Sequence, residues 1–556
     1  MSPQRSTTST TSTDVPVAAR PPARVAFVGA GPGDSALLTL GAVECLKVAE
    51  ALIIDQTSGP ELVREFLRED VEIIDASHGE HGQQLTTASR AKLVVKTAKA
   101  HRDGVVVRLM DGDPTTFNGL AEEAAALRKA GIPFDVVPGV SSATAVPAYA
   151  GVPLTSSATS AVHVVSVTSG VRPDLTGSIA DDVTVVLLGL PDALAVALAD
   201  LKDAGRDEQT PVALTQRGTT TEQITRTSTL AAAPKAMAGL SVPTLAVVGP
   251  TVDLRDQGLS WFETKPLFGW RVLVPRTKQQ SGSMEERLSF YGASAEVVPT
   301  ISVEPPRTPQ AMERAVKGLV TGRYEWVGFT SVNAVRAIRE RFEAIGLDAR
   351  AFSGLKIAAV GGATAAALHD WGINPDLVPD GEKSARGLLE VWPPYDEVLD
   401  PINRVFLPRA DIATDTLVAG LQDMGWEVDD VTAYRTVRAA PPPAPVREAI
   451  KGGAFDAVVF TSSSTVRNLV GIAGKPHPST VIACIGPATA KTAEEQGLRV
   501  DVLAPDASAH ALIDALAEFG RGMAEDAEAN GLPVTRPSAK RKKAAGRKTA
   551  RTTVKG

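Results

Sequence analysis

Hydroxyl side chains stand at the ends of two similar apolar runs in the second half of this chain. Thr330 and Ser331 close WVGFTSVNAV (326–335), and Ser462 and Ser464 close AVVFTSSSTV (457–466). Each run is followed by a second strand-turn-helix pattern, KIAAVGGATAAAL (356–368) carrying Thr364 and VIACIGPATAKTA (481–493) carrying Thr489. Helix N-termini present unpaired N–H groups and the positive end of a dipole, so such loops suit anionic ligands. Each Ser or Thr taken singly reads more readily as a helix cap than as a ligand contact. Their symmetric placement favours a ligand held between two walls. No His stands in these loops, His369 and His477 lying elsewhere, and they hold no nucleophile–base pair, so the chemistry is binding and orientation rather than nucleophilic attack. Tyr434 is the one side chain here able to help a hydroxyl depart as an acid; a buried structural Tyr is the alternative.

These loops sit inside a larger repeat. RVLVPRTKQQSGSMEERLSFYGASAEVVPTISV (271–303) matches RVFLPRADIATDTLVAGLQDMGWEVDDVTAYRTV (404–437), with 133 residues between Pro275 and Pro408 and 131 between Phe329 and Phe460. A period this long is a duplicated α/β domain, since solenoid repeats run about 20–50 residues.

The front half carries a different constellation. RVAFVGAGPGD (24–34) reads as a buried strand entering a glycine loop, and LLTLGAVECLKVAEALIID (37–55) as a helix and a second strand ending in Asp55. In GVVVRLMDGDPTTF (104–117) a strand ends at Asp111, Gly112 and Asp113; Gly112 lets backbone approach a ligand, and Pro114 sets the turn. After an intervening helix, a second strand ends in Pro-Gly-Val-Ser-Ser-Ala (138–143), which carries Ser142 and Ala143. The rival reading is a dinucleotide loop, with Asp55 as its acidic partner. That motif wants a third glycine where this chain has Asp34, and Pro32 lacks a backbone N–H.

The chain has 556 residues, 4% aromatic and 44% apolar, enough for roughly three or four α/β domains. Two distant cysteines, Cys45 and Cys484, offer no disulfide framework or metal spacing, and no apolar run approaches the roughly 20 residues of a membrane span. A cytoplasmic location is the expectation, without a metal or a membrane partner. The net charge of −7 is uneven: no acid follows Glu528, and nine Lys and Arg lie between 536 and 555. Lacking aromatics, that stretch reads as a solvated appendage rather than a nucleic-acid surface. A two-lobed ligand-binding regulator with a basic tail is the rival from outside the enzymes. The Ser/Thr/Pro-rich start has no apolar core and reads as disordered.

GAGPGD, the Asp-Gly-Asp-Pro loop, VTVVLLGL (183–190), TPVALTQRGTTTEQ (210–223) and VPTLAVVGPTVDL (242–254), in that order, resemble the tetrapyrrole methylase family, and within it the uroporphyrinogen-III C-methyltransferases. The resemblance implies S-adenosylmethionine in a cleft between two α/β halves. The positions matching the family's cofactor contacts are Pro32, Gly33, Asp111, Gly112, Asp113, Ser142, Ala143, Leu188, Ala213 and Thr244, with Asp55 a candidate catalytic residue. Three positions depart from the family pattern: Met110-Asp111 replaces Lys-Gly, Gln56 replaces an Arg, and Thr168-Ser169-Gly170 replaces Thr-Gly-His. A tetrapyrrole with eight carboxylates loses basic partners there and meets an extra acid. The expectation is therefore cofactor binding with weak or absent methyl transfer to uroporphyrinogen III.

From about residue 270, the two Phe-Thr-Ser segments, VGGATAAAL, IGPATAKTA and Tyr434-Arg435-Thr436 resemble the uroporphyrinogen-III synthases. That resemblance implies cyclisation of hydroxymethylbilane with ring inversion and loss of water, Tyr434 being the candidate acid and the six hydroxyls the substrate contacts. It also implies two similar α/β domains joined by a two-stranded hinge, 270–300 with 438–520, and 301–437. The expected order is a disordered start (1–23), a methylase-like domain (24–256), a linker (257–269), the synthase-like pair (270–520) and a basic disordered tail (521–556). A homodimer through the methylase-like part is a further expectation. Two readings of the front half stay open: a uroporphyrinogen-III C-methyltransferase, or, beside a working synthase, a half that is an S-adenosylmethionine-binding scaffold or acts on another substrate.

Overall fold

Five short strands form the first sheet: β1 (Val25–Gly29), β2 (Ala49–Ile54), β3 (Glu72–Asp75), β4 (Val105–Met110) and β5 (Phe134–Val137). The computed structural model describes residues 25–55, 62–78, 84–101, 104–168, 170–240, 244–276 and 278–541. The sheet order is β3-β2-β4-β1-β5, all parallel. Its central strands β1 and β4 are buried throughout, as a parallel sheet covered on both faces requires.

A second sheet follows from β6 (Ala161–Ser166), β7 (Val183–Gly189), β8 (Pro211–Gln216), β9 (Ile224–Thr229) and β10 (Thr244–Val248), ordered β6-β7-β10-β8-β9. Only β6 and β7 run parallel; the other pairings are antiparallel. Both sheets belong to one compact unit ending at Gly269.

The second unit begins at Trp270. Its strands are β11 (Arg271–Val274), β12 (Ser294–Val297), β13 (Ile301–Glu304), β14 (Trp326–Phe329), β15 (Lys356–Ala359), β16 (Arg404–Ala410), β17 (Glu427–Arg438), β18 (Ala457–Phe460), β19 (Val481–Cys484) and β20 (Val502–Leu503). One lobe is the parallel sheet β12-β11-β18-β19-β20. The other is β13-β17-β16-β14-β15, parallel except where β13 runs against β17. The chain crosses between lobes twice, side by side, and Ala439 N donates to Thr300 O at 3.2 Å there. This is an α/β chain whose back half is a pair of similar domains joined by two strands.

Two stretches differ from the expected outline. Within 257–269, Phe262 is buried and packs edge-on to Tyr149 at 4.6 Å between centroids, while Trp261 Nε1 donates to Ala148 O at 2.9 Å. Aromatic side chains with partners fold this piece onto the first unit instead of leaving it a free connection. The final helix, Ala509–Ala529, runs past residue 520 because Ser508 caps it and Leu512, Ile513, Leu516, Ala517 and Gly520 are buried. Ser538 N then donates to Asp456 Oδ1 at 2.8 Å, so the chain is ordered well into the stretch expected to be a tail. Residues 1–24 and 542–556, like Gln56 and Ser169, lie outside the described residues. No helix among the described residues is long and apolar enough to cross a membrane.

Candidate active site

In the first unit the carboxyl ends of β1, β4 and β5 meet backbone to backbone. Gly31 and Gly112 exchange two hydrogen bonds, at 3.2 and 2.9 Å. A Cβ on Gly139 would lie 2.1 Å from Gly112 O, and one on Gly29 2.5 Å from Gly139 Cα, so only glycine permits this approach. Gly112 itself has φ +59°, and a Cβ there would come within 3.3 Å of Ser142 N at the start of the helix Ser142–Tyr149. Pro32 and Gly33 stand half-buried in the adjoining loop, which is tied across to the second sheet's side: Asp34 N donates to Thr219 Oγ1 at 3.2 Å. The result is a close-packed set of glycines and small residues at the strand ends.

The structure distributes the expected cofactor residues over both halves of this unit. Ala143, Leu188 and Ala213 share one apolar cluster with Val186, Leu245 and Val247. Thr244 opens β10 opposite Gly189 and Gln216 and is nearly buried. Asp113 turns inward: Oδ2 accepts from Gly139 N at 3.0 Å and Oδ1 from Thr115 N at 2.8 Å. Burial alone would raise this carboxyl's pKa, but the hydrogen bonds from Thr115 and Gly139 hold it below the usual carboxylate range. Asp111 O accepts from Asn118 Nδ2 at 2.7 Å.

Met110 requires a correction. It is fully buried in the core with Val25, Phe27, Ile53 and Val94, so its side chain is part of the packing and not a substrate-facing replacement for a base. A strand covered on both faces leaves no free side for it.

Asp55 closes a network that the sequence reading missed. Arg108 is fully buried on β4; its Nη2 donates to Asp55 Oδ2 at 2.9 Å and its Nε to Glu123 Oε2 at 3.0 Å. Burial pushes the Glu123 carboxyl above its ordinary pKa, against the pull of Arg108. The other Asp55 oxygen, Oδ1, is buried without a hydrogen-bond partner among the described residues. A signal existed: Arg108 interrupts the apolar run VVVRLM, and a buried guanidinium must be paired.

In the second unit the structure brings Ser331 and Tyr434 together, Oγ to Oη 2.9 Å, although 103 residues separate them. Ser331 also caps the helix Val332–Ala344, accepting from Ala334 N at 3.1 Å. Tyr434 is nearly buried on β17 and lines a cavity of about 1070 Å³ with Arg276, Pro299, Asn333, Arg336 and Ala433. Thr330 is half-buried just before the cap. In the other lobe Ser462 caps Ser463–Ala473 through a capping box with Thr465, and its Oγ lies 2.9 Å from Ser464 Oγ. Thr364 and Thr489 are each 4% exposed, tucked into the first turns of their helices, which leaves them little surface for a ligand.

Comparison with known proteins agrees with this division. Residues 24–234 match the model of the tetrapyrrole (corrin/porphyrin) methylases, and residues 282–514 that of uroporphyrinogen-III synthase HemD. A porphyrin biosynthesis protein HemD from Ruminiclostridium josui is 30% identical over 515 residues, covering 90% of this chain and 98% of that one. The chain belongs to this family. It is an enzyme of tetrapyrrole biosynthesis with a methyltransferase-like front half and a synthase-like back half. A siroheme synthase from Tolumonas auensis is 38% identical over 243 residues, 43% of this chain and 51% of its own, so this family member spans about half of that relative. A uroporphyrin-III C-methyl transferase from Thermus thermophilus, solved with S-adenosyl homocysteine, is 30% identical with a TM-score of 0.35, over 41% of this chain and 93% of that one.

Proposed function

We propose that this chain cyclises hydroxymethylbilane to uroporphyrinogen III, with inversion of one pyrrole ring and loss of water. Its front half binds S-adenosylmethionine as a uroporphyrinogen-III C-methyltransferase-like domain. The observation that carries the first part is the Ser331–Tyr434 hydrogen bond at 2.9 Å on the wall of the large cavity. A nearly buried phenol on the wall of a cavity can donate its proton to a departing hydroxyl, while the walls hold a flexible tetrapyrrole in a reactive geometry. Ser331 fixes the phenol's direction, because its own position is set by the helix it caps.

For the front half, the strand ends at Gly29, Gly112 and Gly139 admit no Cβ without a close backbone contact, which fits an adenosyl ligand approached by backbone. Pro32, Gly112, Ser142, Ala143, Leu188, Ala213 and Thr244 would hold it. When bound, S-adenosylmethionine supplies an electrophilic methyl group. The chain's own contribution is Asp55, oriented by Arg108 and able to accept a proton from the substrate. The second reading, a cofactor-binding scaffold without methyl transfer, is favoured by Asp111 on the loop, which adds a carboxylate where a carboxylate-rich substrate would enter. A cytoplasmic enzyme, paired through its front half and without nucleic acid, completes the reading.

The test is incubation of the full chain with hydroxymethylbilane, with and without S-adenosylmethionine, followed by isomer separation. Type III product is expected in both, with little or no methylated product. Only the spontaneous type I isomer would refute the synthase assignment, and ready methylation would make the front half an ordinary methyltransferase.

A further inference from the structure

The duplication in the second unit keeps one ion pair and discards another. Arg271 at the head of β11 reaches Glu296 at 3.0 Å, and Arg404 at the head of β16 reaches Glu427 at 3.1 Å. Pro-Arg follows in both, Pro275-Arg276 just past the end of β11 and Pro408-Arg409 within β16 just before Ala410. Arg409 is 4% exposed and fully engaged: Nε donates to Asp430 Oδ1 at 2.8 Å and Nη1 to Thr414 O at 2.6 Å. Its counterpart has lost the acid. Where Glu427 is followed by Val428-Asp429-Asp430, Glu296 is followed by Val297-Val298-Pro299. Among the described residues, the half-buried Arg276 guanidinium has one polar neighbour, Met284 Sδ at 3.7 Å. Burial alone pulls its pKa down, with no acid to oppose the effect.

A guanidinium stays protonated in proteins, so a half-buried one without a carboxylate calls for an anion. Arg276 lines the same cavity as Arg336, which comes from the helix Val332–Ala344 of the other lobe. Arg336 makes no ion pair among the described residues, and Glu340 one turn on is exposed and does not reach it. The remaining charges on the wall are matched: Arg435 holds Glu304 at 2.6 Å, and Glu313 holds Arg341 at 2.7 Å. Two arginines therefore face the cavity against one unengaged carboxylate, Glu340.

The geometry points to Arg276 and Arg336 as the residues that bind two carboxylates of the tetrapyrrole, one from each lobe. Arg276 takes from the ligand the partner that Asp430 gives Arg409 within the chain. Planar guanidinium groups suit paired carboxylate oxygens, which lysine does not reproduce. This assignment rests on the synthase reading above.

The experiment uses the full chain and its Arg276→Gln, Arg276→Lys and Arg336→Gln variants. Two readouts are taken: type III isomer formation from hydroxymethylbilane, and fluorescence binding of an octacarboxylate porphyrin against its tetracarboxylate counterpart. Each Gln variant is expected to raise KM about tenfold, the loss of one charge-assisted contact, with a smaller change in kcat. Each should also lower the preference for the octacarboxylate ligand, with Arg276→Lys between wild type and Arg276→Gln. Wild-type KM and unchanged ligand preference in folded Gln variants would overturn the inference. If Arg276→Gln does not fold, Arg276→Lys and Arg336→Gln decide it by the same two readouts. Failure of the wild-type chain to form type III product would instead strike the synthase reading, and the porphyrin-binding ratio would still judge the two arginines.

Discussion

The two lobes of the second unit started from one pattern and now do different things with it. Both end a strand in Phe-Thr-Ser and cap the next helix with that serine, Ser331 in one and Ser462 in the other. In the 301–438 lobe the cap also holds Tyr434, whereas in the partner lobe it closes on its own loop through Ser464 and Thr465. The fourth strand-end pattern differs as well: KIAAVG in one lobe is VIACIG in the other, so Cys484 occupies the place of Ala359. Duplication has preserved what builds the lobes, namely the caps and the Arg-Glu pairs, and has changed residues on the cavity wall, such as Tyr434 and Arg276, and in the core, such as Cys484.

That contrast can be broken most forcefully at Tyr434. Tyr434→Phe is expected to lower kcat for type III formation about a hundredfold, the usual weight of a positioned general acid, while stability falls by only about 1 kcal/mol. Parallel loss of both, or no loss of rate, would return Tyr434 to a structural role. Next in size comes the pair of arginines, read by urea unfolding. Arg409→Gln should cost about 2–3 kcal/mol because it removes charge-assisted bonds and strands Asp430, whereas Arg276→Gln should leave the midpoint nearly unchanged. The caps sharpen the comparison further. Ser331→Ala and Ser462→Ala should each lose about 1 kcal/mol of stability, and only Ser331→Ala should also slow turnover, since it alone releases Tyr434. The smallest effect belongs to Cys484→Ala, which copies the other lobe and should cost about 1 kcal/mol or less. Burial, aided by Glu494, pushes the Cys484 thiol up to about 12, so native protein at pH 8 should resist alkylation there. Rapid labelling would show that this lobe opens more readily than its packing implies.

Much of the architecture was legible in the sequence, because strands covered on both faces must be near-continuous apolar runs and helices announce their starts with Ser or Thr. The Phe-Thr-Ser segments and the glycine loops gave strand ends, and strand ends in parallel sheets gather ligands. What the sequence hid were pairings across long separations. Asp55 and Arg108 lie 53 residues apart, and only the sheet order β2-β4 makes them neighbours. Met110 looked like a substitution on a functional surface because its neighbours Asp111 and Gly112 lie in the loop; one residue earlier, the side chain still belongs to the strand and points into the core. Thr364 and Thr489 were expected at a ligand wall by symmetry alone, and symmetry does not say which way a first-turn side chain faces.

The doubled crossing at Thr300 and Ala439 has a consequence for the order in which the protein comes into being. One lobe is interrupted by the other: β11 pairs with β18 through Val272 and Ala457, 185 positions later in the chain. On a ribosome adding about 5–20 residues per second, β11 waits roughly 10–40 s for its neighbour. During that interval one edge of β11 is unsatisfied, a template for pairing with another nascent chain. The interrupting lobe, whose elements from β13 to β17 are contiguous in the chain, can close first and hold the two crossings together. A long-range closure of this kind is slow by topology. Variants that weaken the inner lobe should therefore aggregate during synthesis more than their equilibrium stability suggests.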